Sequence, residues 1–147
     1  MNDRVMEAQS CAGSADTTIF SLLHAAHVLE EKVEAALATV GLSTPKYSVL
    51  SELMSAGMPL SLSELATRLS CVRSNMTQLV DRLEADGVVK RVDDPADRRA
   101  VKAAITEAGR TKQEAGAAEI ARLHEMFTAN TCPMDRQAIG RLLEALG

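Results

Sequence analysis

The stretch "SLSELATRLSCVRSNMTQLVDRLEADGVVKRVDDPADRRAVKAAIT", Ser61 to Thr106, changes its periodicity part-way, and that change decides the fold. It opens on "SLSE", Ser61 to Glu64, the pattern of a capping box: the serine oxygen takes a backbone N–H and the glutamate reaches back. A short helix is predicted next, with Leu62, Leu65, Ala66 and Leu69 inward. After a break at Ser70-Cys71-Val72, a second helix runs from about Arg73 to Ala85. Its apolar residues Met76, Leu79, Val80 and Leu83 recur at i, i+3, i+4 and i+7, and Gly87 closes it. Then the period changes. "VVKRV" (Val88 to Val92) and "AVKAAI" (Ala100 to Ile105) are rich in β-branched residues and read as strands joined by "DDPADRR".

Outward from this stretch the pattern is helical again. Asp16 or Thr17 is the expected cap of a long helix carrying Ile19, Leu22, Leu23, Ala26, Leu29, Val33, Ala36, Leu37 and Val40, which Gly41 ends. Thr44 followed by Pro45 reads as a cap and a first-turn proline, with the helix running to about Ala56 before Gly57 and Pro59. Downstream, Thr106 caps a helix over about Glu107 to Asn130, with Ala115, Ala118, Leu123, Met126 and Phe127 as its apolar positions. Cys132-Pro133 restarts the chain, and Ile139, Leu142, Leu143 and Leu146 stripe a last helix. Residues 1–15 are small, polar and aperiodic, and read as a mobile tail. The expected class is mainly α with a small β-hairpin.

Bulk properties set limits. A chain of 147 residues suits one compact unit. With two Phe, one Tyr and no Trp, its core must be aliphatic. No apolar run reaches the roughly 18 residues of a membrane span, and the N-terminus lacks a secretory pattern, so a cytoplasmic protein is expected. Three cysteines without close spacing argue against a disulfide framework or a zinc knuckle. The net charge of −4 is unevenly spread. From Arg68 to Lys112 there are ten Lys/Arg against seven Asp/Glu, and elsewhere six against thirteen. A basic middle with acidic ends lets one surface face an anion.

Short helix, tight turn, second helix and hairpin is the layout of a winged helix-turn-helix. A helix fits the major groove of duplex DNA, and its early residues reach base edges. With the apolar stripe inward, Ser74 and Gln78 project most directly outward, flanked by Asn75, Thr77 and Arg82. Asn and Gln pair with adenine, and Thr meets a thymine methyl. Arg73 leans toward the packed side and suits a phosphate, whereas the outward Asp81 calls for a basic neighbour or a cytosine amine. Any amphipathic surface helix has a polar outside. What singles this one out is its place between a capped helix and a basic hairpin. At the hairpin tip, Asp97 can steady one of Arg98 and Arg99 while the other reaches into the negative minor groove. A merely solvated charged turn is the alternative.

From Leu60 to Arg110 the sequence resembles the core of the MarR family of bacterial transcriptional regulators, most specifically in "LVDRLEADGVVKR", "DPADRR" and "ITEAG". The likeness of layout extends over nearly the whole chain. It implies a homodimer in which residues 16–41 and 106–147 supply the dimerisation helices. Residues 44–105 form the DNA-binding module, and each subunit reads half of a pseudo-palindrome. By the resemblance Arg73, Ser74, Asn75, Thr77 and Gln78 fall on the DNA-reading helix, and Asp97 and Arg99 on the wing's aspartate and arginine. The sequence departs from the family at Ser70, where Gly is frequent, and at Val72, where a capping Ser is frequent. The apolar stripes of the terminal helices independently favour association, with a monomer whose end helices fold back as the alternative.

The resemblance also implies a small-molecule pocket between dimer helices and DNA-binding module, for an aromatic acid or phenol. His24, His27 and Tyr47 are the polar residues nearest it by this mapping. A structural role for each histidine is the competing reading, and a metal at His24 and His27 would want further ligands. No cofactor is expected. A second possibility is redox control through Cys11 and Cys132, which lie near the two ends where some family members place sensing thiols; it requires an activated thiolate. Cys71 reads as an apolar filler. No nucleophile–base motif, glycine-rich phosphate loop or metal cluster points to an enzyme. A winged helix used only for protein interaction would carry apolar residues where this chain has polar and basic ones.

Overall fold

A computed structural model describes residues 15–97 and 101–146. These form six helices and three short strands: α1 (Ala15–Ala38), α2 (Thr44–Ala56), β1 (Leu60–Ser61), α3 (Leu62–Arg68), α4 (Arg73–Ala85), β2 (Val89–Asp93), β3 (Val101–Ile105), α5 (Glu107–Ala129) and α6 (Pro133–Leu146). The class is mainly α with a small antiparallel sheet of order β1-β3-β2. The hairpin pairs Val89 with Ile105 through to Asp93 with Val101. The third strand, β1, pairs Leu60 with Ala103 and Ser61 with Lys102. Two residues carry no readable period, so this strand is invisible to pattern reading.

Local chemistry explains most boundaries. Ser61 forms the full capping box with Glu64: its hydroxyl accepts from the Glu64 N–H at 3.2 Å, and the Ser61 N–H donates to the Glu64 carboxylate at 2.8 Å. Thr106 caps α5 by accepting from the Gly109 N–H. Two expected caps are corrected. Asp16 and Thr17 lie inside α1, which starts at Ala15. The N-cap of α2 is Ser43 rather than Thr44, and its side chain makes no capping bond. The cap comes from α1 instead: the Glu34 carboxylate accepts from the Thr44 N–H at 2.8 Å and the Thr44 hydroxyl at 2.6 Å. Both bonds favour the ionised acid and lower its pKa.

The core is wholly apolar among the described residues. Leu37 of α1, Val49, Leu50 and Leu53 of α2, Leu65 of α3, Met76, Val80 and Leu83 of α4, and Val89 and Ala103 of the sheet are buried in it. Each such side chain contributes about 1.5–3 kcal/mol by leaving water. The face that α5 turns to this core is small. Its buried residues are Gly109 and Gly116, whereas Ala118 and Met126 are exposed. Gly116 is small because the Tyr47 ring lies against it; a Cβ there would stand 2.8 Å from the ring. Much apolar surface faces outward on α1 from Ile19 to Leu23, at Met126 of α5 and along α6: α6 has no buried residue, and Phe20 and Leu146 are 71% and 80% exposed.

Candidate nucleic-acid interface

The α3–α4 turn is set by a left-handed residue. Ser70 adopts φ of +50°, which explains why glycine suits this position. Val72 is the N-cap of α4 and offers no side-chain bond, though its carbonyl accepts from the Asn75 N–H at 3.1 Å. Met76, Val80 and Leu83 are fully buried, which turns Ser74, Asn75, Gln78 and Arg82 to solvent. Arg73 is exposed at the helix start and Thr77 is half-buried, its hydroxyl donating to the Arg73 carbonyl at 3.1 Å. The Thr77 hydroxyl proton is thus committed within α4, while its oxygen can still accept. Neither Arg73 nor Arg82 forms an ion pair among the described residues, so both cations remain available to phosphate.

Asp81 and Glu84, which would repel DNA, are neutralised by Arg91 of β2. The Arg91 guanidinium bonds both carboxylates, and its backbone N–H donates to Glu84 at 3.2 Å. The Asp81 bond, then that to Glu84, raises the arginine's pKa against the opposing effect of burial. Arg91 thereby ties the hairpin to the groove helix. The sequence reading did not single it out; the signal was the acid pair at Asp81 and Glu84, which lacked a cation of their own. Lys46 of α2 makes a similar tie to Asp86, the C-cap of α4.

At the wing, the Asp94 carboxylate accepts from the Ala96 N–H and from Lys102, each at 3.0 Å, and its pKa is lowered chiefly by the first bond and then by the second. The Asp97 N–H donates to the Asp94 carbonyl at 3.2 Å. Asp97 itself is exposed, and Arg98 and Arg99 lie outside the described residues. Beside α4 opens a hollow of about 570 Å³, walled by Lys46, Cys71, Asn75, Gln78, Leu79 and Arg82 among others.

The expected effector residues are not brought together. His24 and His27 are exposed on α1, with His27 3.4 Å from Glu31 and 4.0 Å from Glu30. Tyr47 packs the other way, against Gly116 of α5. Among the described residues no set of His, Cys, Asp and Glu could hold a metal ion. Cys71 is half-buried against the core, as a filler would be. Cys132 is exposed at the start of α6, where its N–H donates to Asp135 at 3.0 Å, and Cys11 lies outside the described residues. Among the described residues no helix is long and apolar enough to cross a membrane.

The model of the MarR family matches residues 42–101, the span from the start of α2 to the wing. An uncharacterized HTH-type transcriptional regulator, YsmB of Bacillus subtilis, is 31% identical over 112 residues, 76% of each chain. The HTH-type transcriptional regulator PrsX of Escherichia coli is 37% identical over 82 residues, 55% of this chain, and the match spans about half of PrsX (49%). Among solved structures, CouR from Rhodococcus jostii RHA1, bound to p-coumaroyl-CoA, is 28% identical with a TM-score of 0.74, covering 93% of this chain and 95% of CouR. The family model over residues 42–101, together with a relative 31% identical over three quarters of each chain, shows that the chain belongs to the MarR family of transcriptional regulators.

Proposed function

We propose that the protein is a homodimeric repressor that binds a pseudo-palindromic operator in double-stranded DNA and releases it when a small aromatic or phenolic effector binds. The observation that carries this reading is the exposed face of α4. It presents Ser74, Asn75, Gln78, Arg73 and Arg82, while its own two outward acids are taken up by Arg91. That face offers base-edge bonds and phosphate contacts without repulsion. An interaction-only winged helix would instead show an apolar face. Dimerisation is supported by the outward apolar surface of α1 and α6, which one chain leaves in water. In such a dimer two groove helices stand about 34–36 Å apart, one turn of DNA. An effector that prefers another spacing draws the population away from the bound form. CouR's p-coumaroyl-CoA supports a small-molecule effector of aromatic character here.

Selection of bound duplex from a random pool tests the reading, with sedimentation to give the oligomeric state. A two-fold-related motif and a dimer are expected. Arg99→Ala should weaken binding to all sequences and lower the salt slope by about one, whereas Gln78→Ala should relax preference at one position per half-site. Monomers with no sequence-selective retention at low salt would refute it.

A further inference from the structure

We propose that the outer face of the wing sheet carries a second ligand site, for a monoanion with an extended apolar tail such as a medium-chain carboxylate. Side chains alternate across a strand, and directly paired residues share a face. Lys90, paired with Ala104, and Val92, paired with Lys102, therefore share the face opposite Arg91 and Ala103. Against this face opens a hollow of about 310 Å³ lined by Leu53, Pro59, Val92 and Ile105, with Lys90 and Arg110 as its two cations. It lies apart from the hollow beside α4, with which it shares no lining residue.

Three features define the ligand. First, the charge is positive and uncompensated. No acid lines this hollow, and among the described residues neither Lys90 nor Arg110 has a carboxylate within ion-pair distance; the guanidinium of Arg110 bonds the Met54 sulfur at 3.5 Å. Second, the site is long rather than compact. Met58, Pro59 and Val92 also line an adjoining hollow of about 570 Å³ that runs on to Pro95, so the two form one groove. Met58 is 60% exposed there, an apolar surface that a hydrocarbon tail would cover. Third, the far end rejects a second negative charge, because Lys102 is paired with Asp94 at 3.0 Å and Asp93 stands beside them. A carboxylate head between Lys90 and Arg110 with a chain along Val92, Pro59 and Met58 satisfies all three. The combined hollows fall in the size range of ordinary ligand sites.

The binding claim stands on this groove alone. Its consequence rests on the proposed function: a ligand seated on β2 and β3 alters how the hairpin meets DNA. The test titrates the full chain with butanoate, hexanoate and octanoate, without DNA, and follows backbone amide shifts. Saturable shifts at Lys90, Val92, Ala104 and Arg110 are expected, with affinity rising up to about fourfold for each methylene buried. Octanol, which lacks the charge, and acetate, which lacks the tail, should bind at least tenfold more weakly than octanoate. Lys90→Met and Arg110→Met should each weaken octanoate binding about twofold to fivefold, as loss of an exposed ion pair does. No saturable shift, shifts confined to the α4 hollow, no dependence on chain length, or unchanged affinity in the double variant would each overturn the proposal. Operator binding by the wild-type protein, measured separately, reports on the DNA reading whichever way the titration falls.

Discussion

Gly109 offers a test in which packing and propensity predict opposite signs. It sits in the first turn of α5, in the "ITEAG" segment, and a Cβ built there would stand 2.0 Å from the Val88 carbonyl oxygen and 2.8 Å from Ile105 Cγ1. Helix propensity alone says Gly109→Ala should stabilise the protein by about 1 kcal/mol. The approach to Val88 is to backbone, however, and no rotamer change relieves it. A carbon needs roughly 3.3 Å from a carbonyl oxygen, so the start of α5 must retreat by about 1 Å. That retreat pulls on two bonds joining α5 to the β2 entry: Thr106 N–H to the Val88 carbonyl at 3.1 Å, and the Thr106 hydroxyl to the Gly87 carbonyl at 2.8 Å. Losing both costs about 2 kcal/mol net, and overpacking adds about 1–3 kcal/mol. After the propensity gain, a net loss of about 2–4 kcal/mol is expected. Urea unfolding followed by circular dichroism, at one fixed protomer concentration, reads it directly. With a slope of about 2 kcal/mol per molar, the midpoint should fall by about 1–2 M. A variant as stable as wild type, or more so, would mean that α5 is not held against the β2 entry as described.

Two further outcomes follow from the polar contacts. Arg91→Ala should loosen the wing from α4 and expose Asp81 and Glu84 to the DNA, so operator affinity should fall about tenfold or more, while stability changes by at most about 1 kcal/mol because these pairs are largely solvated; affinity and urea midpoint moving together would instead mark a folding defect. The carboxyls of Glu34, Glu64, Asp94 and Asp135 all have pKa values lowered by hydrogen bonds in the folded chain. Groups depressed in this way stabilise the fold above their unfolded values and lose that contribution as pH falls through the folded ones. The melting temperature should therefore hold steady down to about pH 4.5, the ordinary glutamate value, and decline below it, with Glu64→Gln flattening part of the decline. A melting temperature that rises on acidification would contradict these contacts.

How much of this was legible depended on the range of the interaction. The capping box at Ser61 and Glu64 and the α4 stripe of Met76, Val80 and Leu83 involve residues within one or two turns, and the sequence displays both. Cross-element contacts were not legible. Thr44 looked like a cap because of its neighbour Pro45, yet the group that satisfies its N–H is Glu34, ten residues earlier on another helix. The inner face of α5 was not legible for a related reason. Periodicity finds an apolar face without saying which neighbour covers it, and the face against this chain's core is made by Gly109 and Gly116, which no hydrophobic pattern marks. His24, His27 and Tyr47 were placed near a pocket by the resemblance alone; His27 lies on the surface of α1 and Tyr47 in the α2–α5 contact.

The position of α2 bears on how a change at the long helices α1 and α5 would reach α4. Its polar links run in every direction: to α1 through Glu34 and Thr44, to α5 through Gln113 and Ser51, to α3 through Arg68 and Glu52, and to α4 through Lys46 and Asp86. Each is exposed or half-exposed, and such links contribute roughly 1 kcal/mol or less apiece. They set alignment but do not bear force. The firm attachment is apolar: Val49, Leu50 and Leu53 are buried against the rest of the core, and Tyr47 lies on Gly116 with no room for a methyl between them. Close-packed contacts of this kind move as blocks rather than stretch. A shift of α5 must therefore carry Tyr47 and α2 with it, and α2 must carry α4, while the wing follows through its pairing with β1, the Thr106 bonds to the β2 entry and Arg91. In the proposed dimer, the same packing that stabilises the module makes the spacing of its two α4 helices answer to the geometry of the long helices.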